Sequence, residues 1–121
     1  MKIIGHRGAR GLAQENTLGA INKAIKCGVD SIEIDIRLQG KSLVLSHDTT
    51  VKTEEYCAFK DALKEINGKK LVILDIKETE LVEKLLRELK LYQGEVIFSS
   101  KIYSVLQKIK EQKPDANLAI I

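Results

Sequence analysis

The sequence predicts an α/β fold built on a parallel sheet. Short apolar runs rich in Ile and Val alternate with amphipathic stretches of helical length, the pattern of consecutive right-handed βαβ units. The 121 residues, 44% hydrophobic and 31% charged, suffice to enclose one core without disulfides, so residues 1–121 are expected to form a single domain.

The elements follow in order. Lys2 to Gly5 reads as a first strand. Asn16-Thr17 can cap a helix that carries Leu18, Ile21, Ala24 and Ile25 on one side, and Gly28 stops it. Ser31 to Ile36 is a second strand, after which the chain folds back through Gly40-Lys41 into a short strand, Leu43-Val44-Leu45. Phe59 to Ile66 is expected as a helix, Lys70 to Ile76 as the third main strand and Glu78 to Leu89 as a helix. Glu95 to Ser99, Ile102 to Glu111 and Asn117 to Ile121 complete the series as strand, helix and a fifth main strand. No linker, repeat or low-complexity segment interrupts it.

Composition excludes several classes of partner. Lys and Arg number 20 against 17 Asp and Glu, a net +3 with both signs interspersed. Nucleic-acid binding would show a basic stripe interleaved with aromatics, whereas Tyr56, Phe59, Tyr92, Phe98 and Tyr103 are scattered through the second half. No apolar run approaches the roughly 20 residues of a membrane span, and the opening Met1-Lys2-Ile3-Ile4-Gly5-His6 enters a strand without a signal peptide pattern. Cys27 and Cys57 lack metal-type spacing and read as reduced thiols, so a cytoplasmic location is expected.

Charged residues stand where a parallel sheet should be apolar. In Ser31-Ile32-Glu33-Ile34-Asp35-Ile36, period-2 geometry puts Glu33 and Asp35 on one face, and in the third strand it sets Asp75 beside Lys77. Buried carboxylates need a compensating positive charge. Three of them without a thiol select a hard divalent cation, Mg2+ or Ca2+, over zinc. A competing explanation makes the charges solvated or paired with Lys and Arg, but they cluster toward the carboxyl ends of strands, where α/β folds build sites. His6 and His47 fall at strand ends as well, and one neutral and one protonated imidazole would supply a general base and a general acid. Arg7 and Lys77 offer charge suited to a phosphate.

Gly5-His6-Arg7-Gly8-Ala9, Glu15-Asn16-Thr17, Glu33-Ile34-Asp35, His47-Asp48 and Asp75-Ile76-Lys77 follow one another in an order and spacing that resembles the glycerophosphodiester phosphodiesterase family. The resemblance implies a TIM-type (β/α)8 barrel and metal-dependent hydrolysis of glycerophosphodiesters to glycerol 3-phosphate and an alcohol. Carried over residue by residue, it makes Glu33, Asp35 and Asp75 metal ligands, His6 and His47 the acid/base pair, and Arg7 and Lys77 phosphate contacts. Glu15 becomes an additional acidic member, with Asn16 in a structural role.

A closed barrel takes about 250 residues, so only about the first five strands are expected here, either as a fragment of a longer enzyme or as a short form. The chain also departs from the family at Asp75, where Glu is usual. It has no room between Thr49 and Lys69 for the small inserted domain of many members, and it lacks the tryptophan that lines the glycerol side. An open sheet of this kind invites a homodimer that closes the free edges. Two other functions compete with hydrolysis: a catalytically idle cation and phosphate-binding module of the same fold, and an interaction domain with solvated charges.

Overall fold

The structure is a computed structural model that describes residues 2–9, 11 and 14–120. Its elements are β1 (Ile4–His6), α1 (Leu18–Lys26), β2 (Ser31–Gln39), β3 (Ser42–Leu45), α2 (Phe59–Ile66), β4 (Leu71–Ile76), α3 (Val82–Glu88), β5 (Val96–Ser100), α4 (Tyr103–Gln112) and β6 (Asn117–Ile120). One sheet joins the strands in the order β1-β2-β4-β5-β6, every neighbouring pair parallel, while β3 lies antiparallel on β2. The five parallel strands are the five main strands expected from sequence. The last residue of the expected fifth strand, Ile121, lies outside the described residues.

The apolar even-numbered positions of β2, β4 and β5 face the helices. Ile32, Ile34, Ile36, Val72, Leu74, Ile76 and Phe98 join Ile21, Ala24, Phe59, Ile66, Leu85, Val105 and Ile109 in one core cluster. Each fully buried aliphatic side chain of this kind contributes roughly 1.5–3 kcal/mol relative to leaving it exposed. Helix α2 shows the sequence logic directly: Phe59, Ala62, Leu63 and Ile66, spaced for one helical face, are its buried residues. Helix α1 starts where the Thr17 hydroxyl accepts from the Ala20 amide at 3.1 Å.

Two boundaries differ from the sequence expectation by three residues or more. Strand β2 runs three residues past Ile36, because Arg37, Leu38 and Gln39 pair with Val44, Leu43 and Ser42. The helix expected from Glu78 begins later, with a 3-10 turn at Thr79–Leu81 before α3. Glu78 itself is extended, and its carboxylate accepts from the Leu38 amide at 3.1 Å, which removes it from the helix. No helix among the described residues is long and apolar enough to cross a membrane.

Candidate active site

The charged residues of β2 and β4 fall at odd-numbered positions, in register with His6 of β1, and the strand register sorts them into rows. His6 pairs with Glu33 and Glu33 with Ile73, while Asp35 pairs with Asp75 and Asp75 with Ser99. Parallel neighbours in register point the same way, so Asp35 and Asp75 stand side by side at the carboxyl end of the parallel ladder.

Asp35 and Asp75 are both buried. Lys77 Nζ lies 2.7 Å from Asp75 Oδ2 and 3.4 Å from Asp35 Oδ1, bridging the two carboxylates. Arg7 Nε lies 3.3 Å from Asp35 Oδ2, and the Arg7 guanidinium also pairs with Glu15. Asn16 donates from Nδ2 to Asp35 Oδ2 at 3.0 Å, and its Oδ1 accepts the Asp35 amide at 3.3 Å. Burial by itself would raise the Asp35 pKa. The Asn16 hydrogen bond, then Lys77 and Arg7, outweigh it and hold the carboxyl below the usual range. Burial likewise works against the Arg7 charge, but Glu15, Asp35 and Asp48 push its pKa up.

The turn after β1 places Arg7. Arg7 and Asn16 both adopt left-handed backbone, with φ 53° each, and the Arg7 carbonyl accepts the Asn16 amide at 2.8 Å. Such conformations in residues other than glycine are held only by surrounding contacts. Gly8, at φ 82°, donates to the Glu33 carbonyl, and a Cβ on it would stand 2.7 Å from Ala20 Cβ and 2.8 Å from the Ala20 carbonyl carbon. This close approach seats the loop on the first turn of α1.

The histidines are placed differently. His6 Nε2 lies 2.9 Å from Glu33 Oε1. His47 stands outside that network, with Nδ1 2.9 Å from Asp48 Oδ1. It lines a cleft of about 460 Å³ together with Glu15, Asn16, Glu54 and Tyr56, so it borders the site through residues that also touch Arg7 and Asp35. Sequence reasoning missed what fixes it: Arg37 Nε donates to the His47 carbonyl at 3.0 Å, and Arg37 Nη1 reaches Glu78 at 3.4 Å. The available signal was Arg37 continuing the odd row of Glu33 and Asp35.

Glu33, Asp35 and Asp75 offer only hard oxygen donors. Asp75 Oδ1 is buried without a hydrogen-bond partner among the described residues, a free acceptor that suits a hard cation. As placed, no group of three His, Cys, Asp or Glu side chains among the described residues closes to metal-holding distance. The donor set is of the hard-oxygen kind that a divalent cation takes, and in this arrangement the Lys77 ammonium supplies the positive charge between Asp35 and Asp75.

A parallel βα sheet with a charged cluster at the carboxyl ends of its strands defines a barrel-type site. Residues 6–93 match the Glycerophosphoryl diester phosphodiesterase family, and the chain belongs to that family. Human glycerophosphodiester phosphodiesterase 1 is 47% identical over 52 residues, 42% of this chain and 16% of that protein. Among solved structures, an Oleispira antarctica phosphodiesterase in complex with the product sn-glycerol-3-phosphate superposes with TM-score 0.89 at 22% identity, covering 99% of this chain and 65% of that one. The Thermotoga maritima glycerophosphodiester phosphodiesterase gives TM-score 0.84 at 26% identity over 99% and 62% of the two chains. The chain thus spans less than two thirds of these relatives, and its fold is the corresponding part of their TIM barrel.

Proposed function

We propose that this chain, an incomplete-barrel domain over residues 1–121, serves the metal-dependent hydrolysis of glycerophosphodiesters to glycerol 3-phosphate and an alcohol. The observation that carries the proposal is the buried cluster at the strand ends, where Arg7 and Lys77 meet Asp35 and Asp75 in a member of this family. A relative of the same fold holds the product sn-glycerol-3-phosphate, which supports a small phosphate ester as substrate. Free thiols at Cys27 and Cys57 agree with a reducing, cytoplasmic setting.

Glu33, Asp35 and Asp75 would hold the cation, Mg2+ or Ca2+, with Glu15 beside them through Arg7. The bound cation would supply Lewis acidity and a template for the phosphate oxygens. Arg7, half of whose fork is taken by carboxylates, would present its remaining N–H groups to those oxygens, together with the Lys77 ammonium. His6, with Nε2 turned to Glu33, keeps Nδ1 for proton transfer, and His47, with Nδ1 turned to Asp48, keeps Nε2. One imidazole takes the proton of the attacking oxygen as that oxygen bonds to phosphorus: water gives glycerol 3-phosphate directly, whereas the neighbouring glycerol hydroxyl gives a cyclic phosphate whose ring P–O bond water then breaks to give glycerol 3-phosphate. The other gives a proton to the departing alkoxide as the ester P–O bond breaks. A second copy of the chain, set against the free sheet edges, would complete the walls.

The test is release of glycerol 3-phosphate from glycerophosphocholine with Mg2+ or Ca2+ added. Activity should fall by about a hundredfold or more in His6→Ala and in His47→Ala. Equal background rates in all three proteins would instead identify an idle cation and phosphate-binding module.

A further inference from the structure

Asp35 and Asp75 differ in how much support they have. Asp35 is held by Asn16, Arg7 and Lys77, whereas the cation next to Asp75 is Lys77, and its second oxygen is buried without a partner. Lys77 leaves the same face of the chain as Asp75, two residues on, and folds back along it, while its amide is tied to the Ile36 carbonyl at 3.2 Å. Its backbone is therefore fixed and its flexible stem is the part free to move. The Lys77 side chain is 15% exposed, so it is not sealed inside the sheet.

We propose that Lys77 is a built-in counter-ion that stands between Asp35 and Asp75 when no divalent cation is bound and competes with that cation for the two aspartates. The inference rests on the cation binding proposed above. A buried carboxylate without a cation is costly, and the loss falls on Asp75, since Asp35 keeps Arg7 and Asn16. The ammonium thus keeps the empty site folded, at the expense of cation affinity. Once displaced, it is a free positive charge at the mouth of the same cluster, where an anionic ligand would meet it.

The experiment is thermal unfolding of the full chain, followed by circular dichroism, in EDTA and across a titration of Mg2+ or Ca2+. In EDTA, Lys77→Met should unfold at least about 5 °C below wild type. Added cation should restore it, with half-saturation at a concentration about tenfold or more below that of wild type. The double variant Lys77→Met with Asp75→Asn carries no orphaned charge, so it should regain its Tm in EDTA and lose most of the cation response. Wild-type stability of Lys77→Met in EDTA would overturn the proposal, and so would a cation response no tighter than that of wild type. If Lys77→Met does not fold in EDTA, the double variant decides: folding supports the counter-ion role and failure to fold overturns it. Failure of the phosphodiesterase proposal is separately visible, as wild type that releases no glycerol 3-phosphate while these thermal shifts are seen.

Discussion

Cys57 precedes α2, partly covered and close to Asp61, and it is the residue whose acidity the fold changes most clearly. Burial, with a smaller contribution from the Asp61 carboxylate, pushes its thiol up to about 11. The raised value favours the neutral thiol, so at pH 8.5 about one molecule in 300 carries the thiolate, against about half for an unperturbed cysteine. In a Cys27→Ser background, alkylation of Cys57 by iodoacetamide at that pH should be roughly a hundredfold slower in folded than in urea-unfolded protein. Comparable rates in the two states would remove the claim. At the site, the charges of Glu33, Asp35, Asp75 and Lys77 could be seen in the sequence because each interrupts an apolar run at period 2. The double contact of Asn16 with Asp35 could not, since it depends on a left-handed backbone that only the folded loop imposes. Which partner each charge takes was equally hidden: the Arg37–Glu78 pair joins residues 41 positions apart through strand pairing.

At the scale of elements, the loop between β1 and α1 is the piece whose shape decides where Arg7 goes. Gly8 and Gly11 share left-handed backbone, at φ 82° and 93°, but differ in surroundings. A Cβ on Gly8 would press on Ala20 and on the Ile21 amide nitrogen at 2.9 Å, all of it α1 near its start, whereas a Cβ on Gly11 meets nothing within 4 Å among the described residues. Gly11→Ala should therefore cost only the conformational strain, about 1 kcal/mol. Gly8→Ala should cost about 3 kcal/mol or more and shift Arg7, because strain is joined by overlap with backbone that cannot yield. Urea unfolding of both variants measures the difference, and equal losses would show that α1 does not constrain the loop. Helix α2 and the central strands were legible because their burial follows a strict spacing of apolar residues. The extension of β2 was not, because Arg37 to Gln39 owe their strand geometry to β3 across the hairpin, and the late start of α3 follows from a side-chain bond to β2. Both are tertiary effects on local sequence.

For the molecule as a whole, the outer strands of the sheet among the described residues are β1 and β6, each paired on one side. Ile4 on the first is 53% exposed and Ile120 on the last 85%. Beside β6, Tyr103, Leu106, Leu118 and Ile120 line a groove of about 450 Å³. Unpaired backbone groups and exposed aliphatic side chains at a sheet edge are a template for another strand. Two copies related by a twofold axis would offer each β6 the β1 of its partner, and a closed arrangement would leave no edge. Such a dimer would also put a wall opposite the face that carries Glu33, Asp35 and Asp75. Light scattering of the 121-residue chain at micromolar concentration should then give twice the 13.5 kDa of one copy. Ile120→Lys, which places a charge on the pairing edge beside Ser100 of β5 and two strands from β4, should return the mass to that of a monomer and lower the glycerophosphodiester activity with it. A wild-type mass of one chain, with activity unchanged by Ile120→Lys, would mean that the open half-barrel works alone.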